Sequence, residues 1–256
     1  MKVIAPLLFI LALGGMVFYM TACSKETAEV PAPVETVEEA IEVAAVEPTP
    51  VPVPVIEEAP AETIELEFEL PEPFFGGTPL PYWSEYLEEE SFTPRPAFKA
   101  EAGTTVISKD KSVTSSDMNP VLGELKMLTD GDKAFDKESL IELGEGVQWG
   151  QVDLGAESIL ECILLWHFHA DNRVYFDVIV QASNDPEFKT GITTLYNNDY
   201  DNSAKLGEGK DFEYIDNDRG RLIDMKDTQA RYVRVYGNGN TANNMTNFVE
   251  LEVWGR

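Results

Sequence analysis

His167 and His169 are the only two histidines in the chain. They sit two residues apart, a spacing that places both side chains on one side of a strand. Arg173 and Tyr175 follow across the short Asp171-Asn172 loop. Imidazole, guanidinium and amide groups supply the directed donors and acceptors that ring hydroxyls require, and Trp166, Phe168 or Tyr175 can supply an aromatic face. The cluster therefore reads as a saccharide-binding patch. The first reading to set against it is plainer: polar residues closing a strand and hydrogen-bonded to neighbouring backbone. A zinc pair is a third reading, but no third ligand stands nearby to complete it. Asn197 and Asn198 open a polar run reaching Asn202, and Asn238 to Asn247 form another. Both are polar enough to line a binding rim, a composition that solvated loops share.

Other chemistry is harder to place. Carboxylates are plentiful, yet no pair stands out from the general acidity as a general acid and base. The chain contains no GxGxxG, P-loop, HExxH or GxSxG pattern. Cys162 lies in the apolar run Ile159 to Trp166, where a cysteine behaves as a small hydrophobe. No basic or helix-terminal setting is present to turn it into a reactive thiolate. These residues point to binding without catalysis.

The elements that must carry the polar clusters are short and β-rich. Apolar or alternating runs recur at Thr104–Ser108, Val147–Leu154, Ile159–Phe168, Val174–Ala182, Thr193–Tyr196, Arg221–Met225, Ala230–Tyr236 and Phe248–Trp254. Between them lie turn clusters such as Ser183-Asn184-Asp185-Pro186 and Gly237-Asn238-Gly239-Asn240. Helical periodicity is almost absent. Short strands at this spacing predict an all-β, antiparallel sandwich or barrel. Val152 and Leu154, like Val178 and Val180, alternate with polar neighbours and place apolar side chains on an inner face. Arg231 shares its face with Val233 and Val235, while Tyr232 and Arg234 take the other; an inner-face arginine must be paired or reach an edge.

Five ordered segments carry a family resemblance: Leu128 to Asp132, Val147 to Gly155, Phe176 to Asp185, Ala230 to Tyr236 and Glu250 to Gly255. Over roughly 130 residues this order resembles a discoidin domain, the coagulation factor type C family that also includes many carbohydrate-binding modules. The resemblance implies an eight-stranded jelly-roll β-sandwich of the galactose-binding-like type, with ligand-binding loops at one rim. It also implies that the conserved-type arginine of the Arg231 to Val235 run is structural. In many relatives the loop matching Asp130-Gly131-Asp132 holds a structural calcium ion, helped by an acidic side chain of the last strand. Asp130 and Asp132 match that loop and Glu250 matches that strand, so the resemblance makes these three the candidate metal ligands. Asp-Gly-Asp is also an ordinary turn, and calcium needs some six to eight oxygens, part of which backbone carbonyls would supply.

The N-terminus carries the address. Lys2 precedes an uncharged apolar run, Val3 to Tyr19, and small residues lead into Cys23. Met20-Thr21-Ala22-Cys23 resembles the cleavage site of bacterial lipoproteins, which implies a signal peptide over 1–22 and a lipidated Cys23. The alternative is an uncleaved anchor, since the run approaches the ~20 residues that span a bilayer. From Ser24 to Glu90 the chain has 18 Glu, no Asp and one Lys, with the prolines of 31–33 and 48–54. Such a segment buries too little to fold and is stretched by its own charge, which predicts a disordered acidic linker over 23–63. Ile64 to Leu70 then alternates apolar and acidic residues, as a half-buried strand does. The aromatics up to Phe98 predict a strap, 64–99, lying across a sandwich domain, 100–256; an exposed aromatic binding strip is the alternative.

The net charge is −27, which excludes nucleic acid as a partner, because phosphates are bound by clustered Lys and Arg. It also leaves lipid as the sole means of membrane attachment. The expected protein is a monomeric, lipid-anchored binding module of the cell envelope, on the outer membrane because Ser24 replaces the inner-membrane retention signal of many Gram-negative lipoproteins. Its expected partner is carbohydrate. The alternative is an envelope protein docked by the same sandwich.

Overall fold

The computed structural model describes residues 62–74, 81–91, 93–136 and 138–256. The expected signal peptide and nearly all of the expected linker lie outside them, Cys23 included. So do Phe75 and Phe92 of the aromatic run.

Among the described residues the protein is an antiparallel β-sandwich with one short 3₁₀ helix, Leu125–Thr129. Its strands are β1 (Thr63–Glu65), β2 (Lys99–Glu101), β3 (Thr105–Val106), β4 (Ser112–Ser115), β5 (Ile141–Glu145), β6 (Gln148–Trp166), β7 (Ile179–Ser183), β8 (Thr193–Asn197), β9 (Arg221–Gly237), β10 (Met245–Phe248) and β11 (Glu250–Gly255). The main sheet runs β3-β11-β6-β9-β7-β8, with β4 paired to the N-terminal half of β6. β10 pairs with β5 and β1 with β2.

Two strands differ in extent from the sequence expectation. Val147–Leu154 and Ile159–Phe168 are one strand, β6, and Arg221–Met225 and Ala230–Tyr236 are one strand, β9. The apparent breaks are register shifts between Asp153 and Ser158 and between Leu160 and Cys162. Such bulges bend a strand without ending it. Conversely β7 begins only at Ile179, because Asp177 takes φ +51° and interrupts the run from Val174. β4 and β5 are too short and too polar to stand out in the sequence.

The main core draws on alternate residues of the central strands, among them Leu160, Ile163 and Leu165 of β6 and Val233 and Val235 of β9. The intervening β6 residues Cys162, Leu164 and Trp166 are also buried. The N-terminal segment covers them: Leu66 and Phe68 pack with Cys162, Leu222 and Trp254, and Phe68 meets the Trp254 ring edge-on at 5.3 Å. This explains why 159–166 is continuously apolar, since both faces of the strand are covered. Of the acidic alternation at 64–70, only Leu66 and Phe68 turn inward, and the glutamates between them face water. Full burial of such a side chain contributes about 1.5–3 kcal/mol; Leu66 is buried and Phe68 half-buried.

The inner-face arginine is resolved by pairing. Arg231 is half exposed and makes a bidentate contact with Asp153 at 2.7 and 2.9 Å. The buried arginine is Arg234, on the opposite face. Its guanidinium lies between the Trp149 and Phe188 rings, at 4.0 and 4.1 Å, and bonds Gln151.

Candidate functional site

The loops following β6, β8 and β9 gather with residues 81–91 around a concavity of about 330 Å³. Tyr82, Phe176 and Tyr200 supply its aromatic faces, and Asp177, Asp201, Glu213 and Asn238 its polar groups. Each wall has a local cause. The segment 81–91 is fixed by a bridge between Leu87 and Glu213, with Glu88 N–H donating to Glu213 O and Glu213 N–H to Tyr86 O, both 2.9 Å. The Tyr82 hydroxyl donates to the Glu213 carboxylate at 2.9–3.0 Å. Burial, and then that carboxylate, hold the Tyr82 hydroxyl well above its ordinary pKa. Tyr86 stacks on Tyr200 with centroids 3.9 Å apart and planes 11° from parallel, and Tyr82 leans on Phe176 at 5.7 Å. Beside Tyr82, Trp83 is 85% exposed. Burying so large a ring is normally favourable, and the fold leaves it in water.

Asp177 and Asp201 of this lining converge with Asp199, with carboxylate oxygens within 4.8 Å of one another, and the cluster is able to hold a metal ion. Burial raises the Asp199 carboxyl, and the Asp177 charge adds to the rise. Asp201 is held below the ordinary range, first by its hydrogen bond with Asp199 and then by the Ser203 N–H. The loop also satisfies the cluster from within: Ser203 Oγ and Asn238 Nδ2 donate to Asp177, and the Ser203 and Ala204 N–H groups to Asp199.

None of His167, His169, Arg173, Tyr175, Asn197 and Asn198, singled out in the sequence as ligand-binding, lines this concavity. His167 is fully buried, its Nδ1 2.7 Å from Asp216 Oδ2 and its ring stacked on Tyr175 at 4.2 Å. His169, 1% exposed, has Nε2 3.1 Å from Lys133 O. The two imidazoles are thus tied to different partners. Arg173 makes a bidentate contact with Asp171 and also donates to Asn247 Oδ1, which lies 3.3 Å from the Tyr175 hydroxyl. Asn197 Nδ2 donates to Gly207 O, and Asn198 Oδ1 accepts the Val178 N–H. Together these six form an internal hydrogen-bonded support for the loops.

The predicted metal loop and last strand do meet. Gly131, at φ +86°, donates its N–H to Glu250 Oε2 at 3.0 Å. Glu250 is 1% exposed, and burial pushes its carboxyl up to about 9, with the Asp130 charge adding to the rise. Asp132 is oriented otherwise: its oxygens accept from Ala134 N–H and Ser139 Oγ. Among the described residues it is Asp177, Asp199 and Asp201, rather than Asp130, Asp132 and Glu250, whose carboxylate oxygens converge closely enough for a metal ion.

Of the lining residues, Tyr82 belongs to the aromatic strap read from the sequence, whereas Phe176 and Glu213 were not singled out as rim residues. What joins them to Tyr82 is the Leu87–Glu213 bridge, a contact spanning more than a hundred residues.

No family model matches the chain. No curated protein matches it either. Among solved structures the chain is similar to a chitosan-binding module of a chitosanase/glucanase from Paenibacillus sp. IK-5, at 23% identity over 59% of this chain and 99% of that one, TM-score 0.43. It is similar to the CBM32 of AlyQ in complex with 4,5-unsaturated mannuronic acid, at 18% identity over 57% and 95%, TM-score 0.42. It is also similar to the CBM32 module CpGH89CBM32-4 produced by Clostridium perfringens, in complex with GlcNAc-α-1,4-galactose, at 16% identity over 60% and 96%, TM-score 0.41.

Proposed function

We propose that the protein is a non-catalytic carbohydrate-binding module. The observation that carries the proposal is the concavity walled by Tyr82, Phe176 and Tyr200, with Trp83, next to Tyr82 in the chain, left 85% exposed. A sugar presents an apolar C–H face and a ring of hydroxyls. Aromatic faces pack the first, while carboxylate and amide groups such as Asp201 and Asn238 bond the second. A volume of about 330 Å³ lies at the lower end of small-molecule sites, roughly 300–1,000 Å³.

In this reading Cys23 carries the lipid, the linker over 23–63 spaces the module from the membrane, and the module faces the cell envelope, at the outer membrane. A structural calcium ion would join the 130–132 loop to β11 through Asp130 and Glu250. The Gly131–Glu250 contact supports that placement, since it already brings the two segments together.

A glycan array with the full-length protein tests the function. Binding that falls at least tenfold in Trp83→Ala and Tyr200→Ala supports it. Absence of binding to any glycan at high protein concentration sinks it.

A further inference from the structure

A second concavity, about 390 Å³, opens where residues 88–96 meet residues 214–222, beyond the Leu87–Glu213 bridge. Three of the chain's seven arginines line it: Arg95, Arg219 and Arg221. Only Arg221 has a carboxylate partner, Glu88, whose two oxygens lie 2.8 Å from Nη1. Asp216, the other acid of the lining, is buried and engaged with His167.

Among the described residues Arg95 and Arg219 pair with no carboxylate. Arg95 Nη2 donates to Arg219 O and Gly220 O, at 2.8 and 2.5 Å. Arg219 donates to Thr93 O and Ser91 O, at 3.0 and 2.9 Å. A carbonyl needs a donor rather than a charge, and the neutral amide of a glutamine would clamp these segments as well. Burial, then the like charges of Arg219 and Arg221, pull the Arg95 guanidinium below its ordinary value. A chain with 46 acidic and 19 basic residues has thus gathered unneutralised cations in one half-buried pocket. The Nε and Nη1 of Arg95 and the Nε of Arg219 have no hydrogen-bond partner among the described residues, so planar donors remain for an incoming anion.

We propose that this pocket binds the carboxylate of a uronic acid unit, so that the ligand is an acidic polysaccharide. The proposal deepens the saccharide reading and rests on it for the sugar ring. The guanidinium fork matches a carboxylate bidentately, and the pocket has the size of a small-ligand site. Glu88 acts as an internal competitor for Arg221.

The test is calorimetric titration of the full-length protein with polygalacturonate and with its fully methyl-esterified form, which share a backbone and differ in charge. The parent is expected to bind the acid about tenfold tighter than the ester, the scale of a charge-assisted hydrogen bond. Arg95→Gln and Arg219→Gln, which keep donors for the backbone carbonyls, should lose that preference and retain ester binding. Glu88→Gln should strengthen acid binding, a gain that misfolding does not imitate. Equal affinity of the parent for both polymers overturns the pocket and leaves the saccharide reading standing. A preference that survives in both arginine variants overturns the assignment to this pocket, and tighter binding of a sulfated galactan overturns the choice of carboxylate. If neither polymer nor any neutral glycan binds, the saccharide reading and the uronate proposal both fall. Inorganic sulfate that still raises the parent's unfolding temperature, but not that of Arg95→Gln, would then place the fault in the sugar alone.

Discussion

The Tyr82 hydroxyl meets the Glu213 carboxylate at 2.9 and 3.0 Å across 131 residues of chain. This bond and the backbone bridge beside it hold the aromatic segment over the loops of the sandwich. Tyr82→Phe leaves Glu213, 2% exposed, without its donor. Leaving a buried hydrogen-bond acceptor without its donor costs about 1–3 kcal/mol. The expected results are a lower unfolding temperature and faster hydrogen exchange at the Glu88 and Glu213 amides. Unchanged exchange at both would show that the bond does not hold the segment.

Trp83 separates binding from stability. Exposed side chains away from special features change stability by less than about 0.5 kcal/mol. Trp83→Ala is therefore expected to leave the unfolding midpoint in denaturant unchanged while weakening glycan binding at least tenfold. A marked loss of stability would mean that the ring packs rather than presents itself to a ligand.

Glu250 predicts a pH dependence with a definite sign. Its carboxyl is raised from the ordinary 4.5 to about 9, so the folded state holds a proton that the unfolded state has released. With EDTA present, this contribution to stability is complete below pH 4.5 and is lost as pH rises toward 9. Glu250→Gln should flatten that decline and be the more stable protein at pH 9. Millimolar calcium should raise the parent's unfolding temperature above neutral pH and leave Glu250→Gln unaffected. A parent indifferent to calcium would remove the metal from this site.

Arg234 is held by shape as much as by charge. It lies between the rings of Trp149 and Phe188 and donates to Gln151 Oε1 from Nε. Lysine keeps the charge but loses the planar stack and the fork. Arg234→Lys is expected to cost about 2 kcal/mol, read from denaturant unfolding, without altering glycan affinity.

Cys162 should be inert in the folded protein. Burial, and then the Glu161 charge, push its thiol up to about 12. A disulfide reagent at pH 8 should fail to label the native protein and label it rapidly in guanidinium. Fast native labelling would show that the cover formed by Leu66 and Phe68 opens readily.

Local pattern carried much of the fold. Period-two alternation at Val152–Leu154 and the apolar run at 159–166 announced the central strand, while only the family resemblance implied that Asp130-Gly131-Asp132 and Glu250 meet. Bulges hid the true length of β6 and β9, because a residue out of register looks like a turn in sequence. The polar cluster His167, His169, Arg173 and Tyr175 was legible as a cluster but not as interior, since hydrogen-bonding residues have the same composition whether they face a ligand or one another.

Residue type by itself therefore determined the β class, the inertness of Cys162, the acidity of the chain before the domain, and which segments bear aromatic and polar groups. Those properties depend on each residue and its near neighbours. Tertiary structure decided which rings stay in water, that Tyr82 reaches Glu213, and that Arg95, Arg219 and Arg221 share one pocket. Such choices depend on contacts closed across long loops, whose free energy belongs to the assembled sandwich rather than to any segment of it.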